Sequence, residues 1–597
     1  VPNSKDSARL KPARPACLIR PALLAGLCIS LLASCQSGPP PARAELSQQV
    51  GPGQSNPGQS DPGQSGPDLS GPDGLAASWL IARQALQTND LEAAATYFSR
   101  ALAVDQKNDA LLRQSFLSFY KNGQIEEAAL IASRIEAAGL AVALASEPAA
   151  AMAVREADWQ AVTALAENLR QFDSSRPLAQ LMSGWALLAT GRAEAGLNEL
   201  QKLTDVISRQ EGADPAFMQL HMMLALEWTG QTDAARRVAL ELASQPGLPT
   251  RLSLQLAGAL WRMGEETAAD LLVDGLSASF NRARLTQLLA AGQLENSAAP
   301  QASQALAAAI LDLTWFWQSR DNRQLLLLRA YLVQYMDPDN SASRFVLGQL
   351  LDSLADKSRS AEQLAGINPA SGWAQPGFML QIDQLHQAAD WQRAEQMITE
   401  RMRQQPENSR LAYLLGDHYR YRSEFGQAII AYEAARALGD DSAGLWRNLG
   451  VCYEQTGADS KAEAALKKAI ALNPQDAWAL NYLGYWWADE NRNLEAAIGL
   501  IEKAVELRPE SGAFADSLGW VFYRLGDFNT AVAWLEKAHR LEPGDAVITD
   551  HLGDVYWQLG RPLEARFKWQ LARDLEPEPE LDELLVEKLA NGLEPAK

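Results

Sequence analysis

Between residues 446 and 474 the apolar positions fall into two short, helically spaced runs. Trp446, Leu449 and Tyr453 form the first, Gly457 interrupts, and Leu466 and Ala469 form the second before Pro474. Spacing of the i, i+3, i+4, i+7 type predicts amphipathic helices. Proline cannot continue a helix, so Pro474 ends the second one and fixes the turn that follows. The window reads as two antiparallel helices. Gly450 and Ala462 sit where the backbones must approach, and Trp446, Leu449, Tyr453 and Leu466 fill the wedge between them. No alternating run of strand type accompanies this pattern, so the class is all-α.

The same phrase then recurs. Leu483-Gly484, Leu518-Gly519 and Leu552-Gly553 repeat Leu449-Gly450. Ala497, Ala531 and Ala565 repeat Ala462, and Ile501, Leu535 and Trp569 take the place of Leu466. Pro474, Pro509, Pro543 and Pro577 close the phrases at steps of 35, 34 and 34 residues. A self-similar period of 34 in this order resembles the tetratricopeptide repeat. The resemblance implies a right-handed superhelical solenoid of helix pairs, because one pair cannot bury its apolar face alone. Upstream the phrase blurs but persists at Gly416 with Ala428 and Tyr432, and at Ala394 with Ile398. Leu347-Gly348 with Ala361 marks another unit, and turn marks at Gly123, Gly191, Gly230 and Gly264 precede Ala128, Ala195, Ala235 and Ala269. Roughly twelve to fourteen units are expected between residues 75 and 579. The polar stretch 291–304 lacks the period and marks an internal boundary. The expected organisation is a degenerate array over 75–290, middle degenerate repeats over 291–408 and a well-formed array over 409–579. An acidic capping helix and tail follow over 580–597.

Ahead of the array the composition changes. Residues 1–34 carry Lys5, Arg9, Lys11, Arg14 and Arg20 against Asp6, and then an apolar run too short to span a bilayer. This is the layout of a secretory signal. It ends in Leu32-Ala33-Ser34-Cys35, which resembles the lipobox of bacterial lipoproteins and implies lipidation of Cys35. Gln36 replaces the aspartate that commonly retains such proteins at the inner membrane, which points to an outer-membrane anchor facing the periplasm. Residues 35–74 are rich in Gly, Pro, Ser and Gln, with GPGQS, NPGQS and DPGQS in near-repeat, and read as a disordered tether. As a flexible coil its forty or so residues span on the order of 35 Å.

Formal charge is −20 over 597 residues; loss of five cations and one anion with the signal makes it −24. An acidic body does not suit nucleic acid and suits basic or mixed protein partners. Cys17 and Cys28 leave with the signal and Cys35 takes the lipid, so Cys452 remains without a disulfide partner and reads as a small buried hydrophobe.

Catalytic signatures fail in turn. There is no H-E-x-x-H, no phosphate-binding G-x-x-x-x-G-K-[ST] and no G-x-S-x-G. The five histidines lie in separate repeats, and no catalytic residue, metal or cofactor is expected. In the family that the repeats resemble, the first helix of each pair lines a concave face. Carried onto this chain, that implies Arg410, Tyr413, Asp417, Arg420 and Tyr421, then Arg447 and Glu454, then Trp478, Asn481 and Tyr485. Asp516, Trp520, Tyr523 and Arg524 follow, and finally Asp550, Asp554 and Trp557. Tyr, Trp and Arg are the types that anchor binding hot spots. Trp520 and Trp557 read as groove residues, and Trp486, Trp487, Trp534 and Trp569 as fillers of helix interfaces. With no third ligand near them, Asp550 and Asp554, at i and i+4, read as solvated groove carboxylates rather than a metal site.

The phrases from residue 481 to 569 are also similar to those of long tetratricopeptide outer-membrane lipoproteins of Gram-negative bacteria. That resemblance implies a non-catalytic adaptor that binds a periplasmic carboxyl-terminal processing protease and delivers protein substrates, cell-wall hydrolases, to it. An alternative is an assembly or export factor for an outer-membrane secretin or a polysaccharide-secretion complex.

Overall fold

Helix and tight turn alternate along the whole described chain. The computed structural model describes residues 72–594, apart from 89, 210–214, 277–279, 295–298 and 317–322. The expected signal segment, Cys35 and the tether up to residue 71 lie outside the described residues. Residues 72–74, assigned above to the tether, instead open the helix Pro72–Gln87. Thirty α-helices follow one another with no strand among the described residues, which is the all-α helix-pair solenoid that the period predicts.

Local chemistry explains why the helices start and stop where they do. In the last repeats a polar side chain two residues after the proline slot accepts from the exposed amides of the next helix. Asn408, Asp476 and Asp545 do so at Arg410, Trp478 and Val547, while Ser442 and Ser511 reach Leu445 and Phe514. Between the two helices of a pair stands one residue of left-handed backbone. It is glycine at Gly123, Gly191, Gly230, Gly264, Gly457, Gly526 and Gly560, whose φ lies between 73° and 81°.

Packing explains the glycine of the phrase. A Cβ on Gly450 would come within 2.6 Å of Leu466, one on Gly484 within 2.6 Å of Ile501, and one on Gly553 within 2.5 Å of Trp569. Ala462, Ala497, Ala531 and Ala565 are fully buried against the same crossings. Two upstream assignments shift by one residue. Ser360, not Ala361, fills the small slot opposite Gly348 and donates to its carbonyl at 2.6 Å. Gly196, not Ala195, faces Gly184, where a Cβ would lie 2.8 Å from the Gly184 carbonyl oxygen. In both cases the outward neighbour is alanine, which the composition pattern favours but the helix phase excludes.

Two compact units divide at Gln384/Leu385, inside helix Ala374–Gln387. In the first, helices Ala302–Phe316 and Arg323–Met336 pack back across Ser146–Arg155, Arg176–Ala189 and Ala216–Trp228 rather than only onto their sequence neighbours. Buried polar bonds hold this arrangement. Arg329 donates to Glu147 at 2.9 Å, and Tyr120 donates to the other Glu147 oxygen at 2.8 Å. Further along, Asp312 meets His221 at 2.8 Å and also accepts from Arg251. Burial lowers the His221 pKa to about 3, assisted by Arg251. The second unit is the regular array, closed by helix Pro579–Asn591, whose Leu585 is fully buried.

Candidate polypeptide-binding site

The candidate inner face belongs to the helices Ser409–Tyr421, Ala443–Gln455, Ala477–Asp489, Gly512–Arg524 and Ala546–Gln558. The slots implied by the repeat register place its residues in three groups of different character.

At the first group the side chains bond to one another. Asp417 accepts from Tyr432 Oη at 2.6 Å and from Asn448 Nδ2 at 3.0 Å, and Asn448 also donates to Tyr413 Oη at 2.9 Å. Arg410 covers the Tyr413 ring at 4.2 Å, and Arg420 lies over Tyr421 at 4.9 Å. Burial, reinforced by Asp417, pushes the Tyr413 and Tyr432 hydroxyls above their ordinary pKa. Both therefore remain hydrogen-bond donors. Arg447 is spent on the next repeat, donating to Asp476 at 2.8 Å. Asn448 and Tyr432 were not among the expected site residues. Nothing in the sequence separates them from ordinary packing positions, since their role arises only from meeting Asp417.

The middle group is the more open one. Trp478 is half-buried, edge-on to Phe514 at 4.9 Å, with Arg508 over its ring at 5.7 Å. Tyr485 and Asn481 are half-buried, and the Asn481 side-chain oxygen is buried without a partner. An unsatisfied buried acceptor costs free energy that an incoming donor restores. Arg524 donates to the Asp489 carbonyl at 2.8 Å.

The third group departs most from expectation. Trp520, expected in an open groove, is 9% exposed. Its ring is sandwiched between Tyr523 at 4.8 Å and His551 at 4.1 Å, both nearly parallel to it, and its indole nitrogen is unpartnered. Asp550 and Asp554, expected to be solvated, are 4% and 5% exposed. Lys588 of the terminal helix donates to Asp550 at 2.7 Å and to Asp554 at 2.8 Å. Trp557 is half-buried and donates to the Leu593 carbonyl at 2.8 Å. The reasons differ: His551 of the following helix covers Trp520, whereas the terminal helix covers Asp550 and Asp554. Trp486, Trp487 and Trp569 are buried and Trp534 is half-buried.

Electrostatics bind this group tightly. Burial alone would strip the proton from His551, but Asp516, 3.0 Å from Nδ1, raises its pKa to about 9 with help from Asp550 and Asp554. Burial and the adjacent Asp550 raise Asp554 to about 7, against the pull of Lys588. Lys588 itself is raised, because the two carboxylates outweigh its desolvation. Cys452 is fully buried, and burial pushes its thiol up to about 12. Among the described residues no group of three or more His, Cys, Asp or Glu is placed to hold a metal, and no helix is long and apolar enough to cross a membrane.

A tetratricopeptide repeat family model matches residues 413–477 and 488–546. A TPR repeat-containing protein of Pseudomonas aeruginosa is 28% identical over 186 residues, which is 31% of this chain and 31% of that protein's length. The formate-dependent nitrite reductase complex subunit NrfG of Escherichia coli O157:H7 is 32% identical over 136 residues, 22% of this chain and 68% of that one. Among solved structures, the APC/C hetero-tetramer Cut9-Hcn1 aligns with 87% of this chain and 96% of its own at 16% identity, with a TM-score of 0.38. The chain belongs to the tetratricopeptide repeat proteins, whose helix-pair architecture it shares.

Proposed function

We propose that this protein is an adaptor, anchored through Cys35 in the outer membrane and facing the periplasm. On this reading it binds a carboxyl-terminal processing protease and brings protein substrates, cell-wall hydrolases, to it. The observation that carries the reading is the contrast between the two compact units. In the first, a helical hairpin of the chain itself is packed across the repeat helices. In the second, a regular array presents half-buried Trp478, Asn481 and Tyr485 between clusters already locked by internal bonds. A scaffold with two differently built bodies suits two different partners, and holding both raises their effective concentration without any chemistry by the scaffold. NrfG, a subunit of an enzyme complex by name, is consistent with a repeat protein serving an enzyme. The lipobox and the tether beyond it support the anchoring.

Reconstituted degradation tests the proposal. Purified protein alone should leave a cell-wall hydrolase intact, and adding it to the processing protease should accelerate cleavage. Equal rates with and without it, together with no protease captured from envelope extracts, would sink the adaptor reading. Capture of secretin or export components instead would favour an assembly factor. Separately, Cys35→Ala should release the protein from the outer-membrane fraction; unchanged fractionation would refute the anchor.

A further inference from the structure

The array is closed differently at its two ends. The last repeat is covered by helix Pro579–Asn591, which is acidic in its first turn. At the other end helix Pro72–Gln87 pairs with Leu91–Val104, and no helix precedes it among the described residues. Ala82 and Ala94, fully buried, stand in that pair where the regular repeats have Gly450 and Ala462. In this register Ile81 takes the place of Leu449, Leu483, Leu518 and Leu552. Those four are at most 1% exposed, each on a helix packed against the second helix of the preceding repeat. Ile81 is 41% exposed, and its neighbours Leu80 and Trp79 are 60% and 37% exposed. A terminal repeat ordinarily turns a polar face outward. Here residues 75–82 read Leu-Ala-Ala-Ser-Trp-Leu-Ile-Ala, with no charge on any side of the helix. A helix that is apolar all round is built to be covered on both sides.

We propose that the outer face of helix Pro72–Gln87 lies on the phospholipid surface of the membrane, as a second contact beside the acyl anchor at Cys35. The proposal deepens the anchoring reading and rests on it for the nearness of the membrane. Pro72 stands 37 positions after Cys35, which keeps the helix within about 130 Å of the anchored cysteine even at full extension. A surface tethered that close meets the helix at high effective concentration. The intervening chain supplies no matching cover, since its large apolar side chains over 36–71 are Leu46, Val50 and Leu69, scattered among Gly, Pro, Ser and Gln. A second copy is a poor match in size: the exposed parts of Trp79, Leu80 and Ile81 come to roughly 300 Å², against about 800 Å² per partner in a stable interface.

The chemistry of the face suits a bilayer interface. Arg83 lies over the Trp79 ring at 4.9 Å, so a cation and an amphipathic ring stand at headgroup level while Leu80 and Ile81 enter the acyl boundary. A chain of formal charge −20 gains nothing from an anionic surface, so the contact is apolar and indifferent to salt. A contact this small supplements an acyl anchor and does not replace it. Release of the Cys35→Ala protein on fractionation is therefore expected with the contact in place.

The unacylated mature chain, residues 36–597, keeps every described residue and serves as the test protein. Its one cysteine, Cys452, is fully buried, so Leu80→Cys can be labelled alone with the environment-sensitive fluorophore NBD. Phosphatidylcholine vesicles should move the emission of this label to the blue, equally in low and high salt. The same label on Leu271→Cys, a position 67% exposed on helix Glu266–Asp274, should not respond. Flotation of the unlabelled chain with the vesicles should fall about tenfold when Trp79→Ser, Leu80→Ser and Ile81→Ser are combined. No shift at position 80, an equal shift at position 271, or equal flotation of the triple variant would overturn the proposal. A shift that grows with protein concentration and needs no vesicles would overturn it in favour of a second copy. Cys35 found unacylated by mass spectrometry would sink the anchor and leave a vesicle response at position 80 standing. No response at position 80 with Cys35 acylated would remove this contact and leave the anchor intact.

Discussion

Two glycines in adjacent repeats should answer the same substitution with opposite signs. Gly499 lies mid-helix in Leu494–Leu507, exposed, and a Cβ added there meets nothing within 4 Å. Glycine in a helix interior is about 1 kcal/mol less favourable than alanine, so Gly499→Ala should stabilise by about 0.5–1 kcal/mol. Gly519 gains the same propensity, but its Cβ would lie 2.6 Å from Leu535 Cγ and 3.2 Å from the Ala531 carbonyl oxygen. Leu535 can rotate; the Ala531 backbone cannot without opening the pair. Overpacking of this kind costs about 1–3 kcal/mol, which exceeds the propensity gain. Gly519→Ala should therefore be destabilising by about 1–2 kcal/mol, and Gly519→Leu by more. Repeat arrays unfold by neighbouring units rather than all at once, so a single melting temperature is a poor readout. Hydrogen exchange resolved to the helices Gly512–Arg524 and Phe528–Leu541, with urea unfolding beside it, gives the local value. Equal stabilisation by both substitutions would refute the close-approach account of the repeat glycine.

Other positions test other links. Ala355 holds φ at +62° in the turn between paired helices, so Ala355→Gly should raise the unfolding midpoint by relieving about 1 kcal/mol of backbone strain; a lowered midpoint would argue against it. Arg329→Met strands Glu147, which is fully buried, and should cost about 3–5 kcal/mol in the first unit. The double variant with Glu147→Leu should recover most of that loss, and purely additive damage in denaturant titrations would contradict the pairing. The raised pKa of His551 makes its contribution complete below pH 6.5 and lost as pH rises toward 9, with a slope of at most about 1.4 kcal/mol per pH unit. Asp554, raised to about 7, tilts stability the same way at lower pH. Asp516→Asn should flatten the alkaline loss in the second unit, and an unchanged pH profile would deny the His551–Asp516 bond a role.

Which of these features a reader could find in the sequence follows from what each depends on. The helix pair is local: a glycine, an alanine twelve residues on and a proline fix it, and the contacts of Gly450 with Leu466 and Gly553 with Trp569 are what that spacing demands. Where the phrase blurs, the geometry holds with poorer letters. Ala157, Ala355, Ala389 and Ser423 adopt the left-handed turn that glycine marks elsewhere, at φ between 54° and 62°. Those repeats lost their signal because the fold tolerates the strain, not because the turn is gone. The candidate site was legible only as slots. Helical periodicity says which face a residue occupies but not what covers that face. Asp550 and Asp554 look alike as open carboxylates until a lysine 34 residues further on closes over them. The hairpin across the first unit is hidden for the same reason: Arg329 finds Glu147 across 182 residues, a distance at which period and composition carry no information. In a chain built from one repeated phrase, the functional differences lie where a non-repeating segment folds back onto the array. The hairpin and the terminal strap are the places where this protein stops being generic.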